Sequence, residues 1–245
     1  MGDDQGQHRN QRTSSPKGRQ NTMGVMSENS AATQLPRLLV TKQSDDTSHL
    51  KQERAIRTRR TILDGAAEIF AQHGFPHVTI KDIADRAEMT KGAVYFHFTN
   101  KEAVAVAVAE EFYRRLAEHI APALEGDRTS PRTVVDVLMH IARAFRDDAY
   151  IKAGARLQIE RPYIKAEMPV RYTGVTTLFT DLLRECKAAG NLPEDTQPEA
   201  LARVLVAAVF GAQHISWVET ERADIVERFE ELIKAIAVLP PPEPA

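Results

Sequence analysis

Between Thr79 and Glu102 three helix-starting signals fall within 24 residues. Thr79 has an acid, Asp82, three places on. Thr90 stands before Lys91-Gly92, and Thr99-Asn100-Lys101-Glu102 has the form of a capping box. A Ser or Thr hydroxyl at a helix start accepts a free amide N–H, and an acid in the first turn is favoured by the helix dipole. The spacing therefore predicts one short helix from Thr79 to about Arg86 and a tight break at Ala87-Glu88-Met89. A second short helix then runs from Thr90 through Phe96, and a long one from Thr99 to about Ile120. Ile83, Ala84 and Val94 are placed to face inward. Two short helices joined by so tight a turn form a helix-turn-helix.

In that arrangement the second helix enters the major groove with its first residues toward base edges. Thr90, Lys91, Gly92 and Ala93 form the leading turn, and Gly92 lets the backbone approach where a side chain would collide. Tyr95, His97 and Lys101 are placed to contact phosphates, which fix register without reading sequence. Thr79 and Arg57 complete the expected DNA-facing set, whereas Phe96 and Phe98 are expected in the core. Charge supports the placement. Residues 51–101 carry nine Lys/Arg against six Asp/Glu, the segment KQERAIRTRR is the most basic part, and residues 102–245 are net −6. A basic front on an acidic body suits a partner made of phosphates.

The remaining sequence divides around this unit. Residues 1–50 are rich in Gln, Ser, Thr and Asn with scattered apolar positions, which predicts a disordered tail. Residues 51–98 are read as the DNA-binding domain, 99–238 as a helical body and the proline-rich 239–245 as a flexible tail. From Gln52, apolar residues recur at helical spacing as far as His73-Gly74. In the body, helices are expected over about 131–148, 151–160, 169–189, 198–218 and 221–238, so the fold class is all-α. The sequence shows no apolar run of about 18 residues and no leader-like core, so no membrane span or secretion is expected. The single cysteine, Cys186, excludes an internal disulfide and fits a cytoplasmic setting. Phosphate loops, a nucleophile elbow and H-E-x-x-H are absent from the sequence, and Gly74 and Pro76 interrupt the His73/His77 pair. No enzyme, cofactor or metal is expected.

The segment 198–218 is apolar around most of its circumference, from Leu201 through Val204-Leu205-Val206 to Phe210. Such a helix must be covered on several sides. With Ile225, Phe229, Leu232, Ile233 and Ile236 on the last helix it predicts a four-helix interface between two copies. A homodimer also presents two reading helices to two half-sites. The helices of 102–190 are long enough to enclose a small-molecule cavity. Its candidate polar groups are Tyr113, Gln158, Tyr172, Thr176 and Trp217.

The stretch RTRRTILDGAAEIFAQHGFPHVTIKDIADRAEMTKGAVYFHFTNKEAV, residues 57–104, resembles the DNA-binding domain of the TetR family of repressors. MTKGAVYFHF, followed by FGAQHIS at 210–216, is similar to one subgroup, the γ-butyrolactone and furan autoregulator receptors, and most to furan receptors of the methylenomycin type. The resemblance implies a homodimeric, ligand-responsive repressor. It would leave a pseudo-palindromic operator near antibiotic genes when a small signal binds, with Tyr113, Gln158 and Tyr172 as ligand contacts. The butyrolactone receptors commonly carry a tryptophan in the helix corresponding to 169–189, where this chain has RYTGVTTLF. That departure favours an alkyl hydroxymethyl furan carboxylic acid, with Arg156, Arg161 and Arg171 as candidate counter-charges. The alternative is a drug- or antibiotic-sensing repressor controlling efflux, with Asp136, Asp147, Asp148 and Glu160 as candidate pocket acids.

Overall fold

Helix α1 (Gln43–His73) starts well before the periodic apolar pattern does. The computed structural model describes residues 43–169 and 172–241, with the side chains of 43–47 and Tyr172 left aside. Most of the expected tail thus lies outside the described residues, but 43–50 are helical and the boundary expected at residue 50 moves back. This first stretch has almost no core of its own. Residues 48–54 are exposed, and Ile56 is 61% exposed. Burial begins at Ile62, Ala66, Ala67 and Phe70. Gly74 ends the helix with φ +77, where a residue without Cβ carries no steric penalty.

The capping signals act locally. In α2 (Ile80–Arg86) the Thr79 hydroxyl accepts the Asp82 N–H, and Asp82 in turn accepts the Thr79 N–H at 2.8 Å. Glu88, at φ 56, makes the break, and its neighbour Met89 donates back to the Ala84 carbonyl at 2.8 Å. Helix α3 (Lys91–His97) opens on Thr90, whose hydroxyl accepts the Ala93 N–H at 3.1 Å. Helix α4 (Lys101–Leu124) is capped by Asn100, not by Thr99 as the capping-box reading had it. The Asn100 carboxamide accepts the Ala103 N–H at 2.8 Å.

The body continues with α5 (Pro131–Asp147), opened by Ser130, and α6 (Ala149–Ile159), capped by Asp148. A 3₁₀ turn at Arg161–Tyr163 leads toward α7 (Tyr172–Ala188), α8 (Pro198–Thr220) and α9 (Ile225–Ala235). No strand occurs among the described residues.

Two apolar cores result. The first joins α1, α2 and α3 with the front half of α4 (Val104 to Ala109) and with Tyr150, Ala153 and Leu157 of α6. The second joins the rear half of α4, from Phe112, with α5, α7, α8 and α9 and with Ile151 and Ala155 of α6. Fully buried side chains such as Phe70, Phe179 and Phe229 each contribute about 1.5–3 kcal/mol to this burial. Helices α4 and α6 are therefore shared between both cores. They approach so closely at Gly154 that a Cβ there would strike the Phe112 ring.

One expectation changes. Leu239, assigned to the flexible tail, is 7% exposed and belongs to the second core, and the Pro241 carbonyl accepts from Arg132 at 2.7 Å. Among the described residues, α8 is also long and apolar enough to cross a membrane, with mean hydropathy 1.4. It instead packs on α7 and α9 and buries Ala202, Leu205, Gln213 and Ser216. Its outer face exposes Val204, Ile215 and Val218 and part of Phe210.

Candidate functional site

The reading helix α3 presents a defined surface. Val94 and Phe98 are buried and anchor it, while Lys91, Gly92 and Tyr95 are exposed and Ala93 and His97 half-buried. A Cβ at Gly92 would meet only the Thr90 hydroxyl, at 3.8 Å. The fold does not require glycine there, so its bareness serves the outer surface. Phe96 is 81% exposed, against the expectation that it packs in the core. It leans edge-on to His97 at 5.1 Å and extends the same surface. A residue directly after Tyr95 on a one-turn anchor cannot share the inward face with Val94 and Phe98.

Three further residues of the expected DNA-facing set lie off α3. Thr79 is committed to capping α2. Lys101 donates to the carbonyls of Phe75 and Val78, both at 2.7 Å, and its ammonium lies 4.0 Å from the Phe75 ring centre. It ties the α1–α2 loop to the start of α4, and burial lowers its pKa. Arg57 is exposed on α1, and nearby Arg59 lies over the Phe98 ring at 4.9 Å.

The body encloses an apolar cavity between α4, α5, α6, α7 and α8. Phe112, Tyr113, Phe145, Gln158, Val209 and Gln213 are among its walls. Traced by the centres of water-sized spheres, its volume is about 70 Å³. Tyr113 and Gln158 are therefore brought together. The Gln158 amide also donates to the Pro169 carbonyl at 3.1 Å, tethering the segment before α7. Tyr172 opens α7, but its side chain is outside the described residues, as is Arg171.

Two candidates fall elsewhere. Thr176 faces an outer groove with Arg203, Ala207 and Phe210. Trp217 lies in a separate polar cleft lined by α1, α2, α6 and α8, beside Arg86, Lys152 and Arg222. Arg156 stacks on it at 4.9 Å. The side of α8 on which a residue falls is set by its neighbours, which helical periodicity alone did not fix.

Sequence reasoning missed Gln213. It is 1% exposed, lines the cavity, and carries the one side-chain amide of α8. The available signal was that this amide follows directly on the apolar run 204–212.

None of the candidate acids enters the cavity wall. Asp148 caps α6 and accepts from Arg115 and His119, both at 3.1 Å. Its carboxyl is held low by these bonds in spite of burial. Asp147 pairs with Arg146, and Asp136 lines no part of the cavity. Glu160 accepts the Phe75 N–H at 2.6 Å and pairs with Arg156 at 2.9 Å. Arg156 in turn donates to the carbonyls of Ala71 and Gln72 at the end of α1. Arg156 and Glu160 thus form a clasp between α6 and the head, and Gly74 leaves space that a side chain would take from both. Tyr150 adds a second tie, donating to Asp64 of α1 at 2.7 Å. Arg161 is exposed.

Residues 62–108 match the family model of bacterial regulatory proteins, tetR family. The A-factor receptor protein of Streptomyces griseus is 31% identical over 192 residues, covering 76% of this chain and 66% of that protein. One solved structure, described as the molecular basis for control of antibiotic production by bacterial hormones, is 48% identical. It covers 72% of this chain and 94% of its own, with TM-score 0.65. CprB of Streptomyces coelicolor, a TetR family protein solved with its operator sequence, is 27% identical and covers 77% of this chain and 91% of its own, with TM-score 0.66. The chain belongs to the tetR family of bacterial regulatory proteins and is a transcriptional repressor of that family.

Proposed function

We propose that the protein is a cytoplasmic homodimer that holds a pseudo-palindromic operator near antibiotic-biosynthesis genes. A small autoregulator of the furan carboxylic acid or γ-butyrolactone type releases it. The methylenomycin-type furan class is favoured, because α7 lacks the tryptophan common in butyrolactone receptors. The relatives support this reading: one is an A-factor receptor and another concerns hormone control of antibiotic production.

The observation that carries the proposal is the sharing of α4 and α6 between the cavity and the head. Phe112, Tyr113, Ala155 and Gln158 line the cavity. On the same two helices, Val108, Ala153 and Leu157 pack with the head, and Arg156 and Glu160 clasp it. A signal with a ring and an alkyl chain that enters this cavity displaces both helices, because their side chains form its walls. Close-packed interfaces transmit such a displacement rather than absorbing it. Ligand then favours a spacing of the two reading helices that DNA does not, and by linkage DNA weakens ligand binding by the same factor.

The exposed apolar face of α8, with Val204, Ile215 and Val218, is the surface proposed to meet its copy. In the head, Arg57, Lys91, Tyr95 and His97 are the proposed phosphate contacts, with Thr90, Gly92 and Ala93 against base edges. Lys101 retains one N–H for phosphate beyond its two internal bonds. Within the cavity Tyr113, Gln158 and Tyr172 are the proposed ligand contacts.

Fluorescence anisotropy on a labelled fragment from upstream of the gene tests the reading. Protein is titrated at several salt concentrations, and furan-type and butyrolactone-type signals are then added. Sequence-specific binding released by one class is expected. Binding that resists both classes sinks the ligand assignment and leaves the repressor.

A further inference from the structure

We infer that Gln213 is the polar recognition residue at the α8 end of the cavity, donating its amide N–H to a carbonyl or carboxylate oxygen of the ligand. The inference rests on the ligand-gated reading above and deepens it. Gln213 is 1% exposed and lines the cavity. Its Oε1 accepts from Arg222 at 3.3 Å, and its Nε2 is buried with no partner among the described residues. The amide cannot be turned the other way, because a guanidinium only donates and so must face the oxygen. The donor end is thereby fixed on the side away from Arg222. A buried amide donor without an acceptor costs about 1–3 kcal/mol, and a ligand oxygen would relieve that cost.

Arg222 is held to this task by the backbone. Glu221 and Arg222 both adopt left-handed conformations, φ 52 and φ 70, which are unfavourable for residues with side chains. The turn closes α8 through the Arg222 N–H on the Ser216 carbonyl at 3.0 Å. It leaves Arg222 3% exposed, its guanidinium 5.4 Å from the Trp217 ring, with Nε unpartnered and no carboxylate in an ion pair with it among the described residues. The charged groups around it are the Arg156 guanidinium, stacked on the same indole, and Arg86, Lys152, Glu68 and Glu221 in the adjoining cleft. Glu68 is already paired with Arg86. Positive charge behind the amide polarises it toward an electron-rich acceptor. The same contact links the cavity to Trp217 and Arg156, and so to the end of α1.

The test uses the full-length protein with two matched probe pairs. One is an alkyl hydroxymethylfuran carboxylic acid against the same furan with methyl in place of the carboxyl. The other is an alkyl γ-butyrolactone against the corresponding tetrahydrofuran. Operator release is read by anisotropy, and cavity entry by isothermal titration calorimetry. For wild type, the acceptor-bearing member of one pair is expected to act at a concentration about tenfold or more below its partner, the worth of one buried hydrogen bond. That pair names the acceptor's source. In Gln213→Leu the preference should vanish while operator binding stays, which shows that the variant is folded. Gln213→Glu keeps an acceptor for Arg222 but offers the ligand no donor, and should respond still more weakly to the acid. If Gln213→Leu retains the wild-type preference, the role of Gln213 is overturned and the ligand-gated reading stands. If wild type answers no probe by either readout, the ligand class falls, and the Gln213 assignment with it.

Discussion

The head and the body of this protein leave different polar groups without partners. In the head, polar side chains serve turns: the exposed Thr79 and Thr90 cap helices, and the half-buried Lys101 ties together two carbonyls of a loop. Its uncommitted groups, among them Lys91 and Tyr95, stand outside on α3. In the body, by contrast, lie all four buried polar atoms without a partner among the described residues: Thr196 Oγ1, Gln213 Nε2, His214 Nδ1 and Arg222 Nε. Unused capacity on a convex, cationic exterior suits a large polyanion. Unused capacity on a small apolar cavity suits a molecule that can be enclosed. Buried polar groups in native proteins are nearly always satisfied, so a cluster at one end of α8 points to something that is bound there only part of the time.

The sharpest way to break this comparison is at Gly92. Gly92→Leu places a side chain where the fold has open space, so thermal stability should hold or rise. Specific operator binding should fall at least about 100-fold, or about 2.7 kcal/mol, in an anisotropy titration. Retained binding would show that this turn does not approach DNA. Next in size is the clasp. Glu160→Gln keeps an acceptor for the Phe75 N–H but removes the charge facing Arg156. Operator affinity should change little, while the ligand-induced loss of that affinity drops by about tenfold, within the usual range of a coupling free energy. Equal coupling in variant and wild type would remove α6 from the transmission path.

A smaller effect is expected at Tyr95. Tyr95→Phe removes one phosphate contact, so binding should weaken by about two- to tenfold, uniformly across operator variants. A changed base preference would place Tyr95 on base edges instead. The smallest effect concerns Asp224, which accepts from Ser216 at 2.5 Å, Thr220 at 2.6 Å and Arg228 at 2.7 Å. These hydroxyls, led by Ser216, and Arg228 lower its pKa to about 2. A carboxyl depressed in the folded state stabilises above its unfolded value, near 4, and loses that contribution as pH falls through the folded one. Asp224→Asn should therefore melt below wild type at pH 7, and the gap should close between about pH 4 and about pH 2. A gap independent of pH would assign the effect to geometry alone.

The reading head was legible because its determinants are local. A cap and the N–H it accepts are three residues apart, and Val94 and Ile83 follow from helical period. The internal duty of Lys101 was hidden for the complementary reason: its acceptors are 23 and 26 residues away in sequence. Phe96 was misplaced because an aromatic run does not say which ring faces out when the helix has only two turns. In the body, periodicity placed the helices to within a few residues but could not say which of their faces meet. Tyr113 and Gln158 share a cavity wall, while Trp217, four residues after Gln213 on α8, belongs to a different cleft.

The sequence by itself determined the all-helical class, the two short helices of the head and the tetR-family character of that segment, since caps, breakers and periodicity act over a few residues. Only the tertiary structure decided that α4 and α6 serve both cores, that Arg156 and Glu160 clasp the head, and that Gln213 lines the cavity with a buried donor that has no partner among the described residues. Each of these depends on distant segments meeting, and burial, unlike capping, is a property of the whole packed chain.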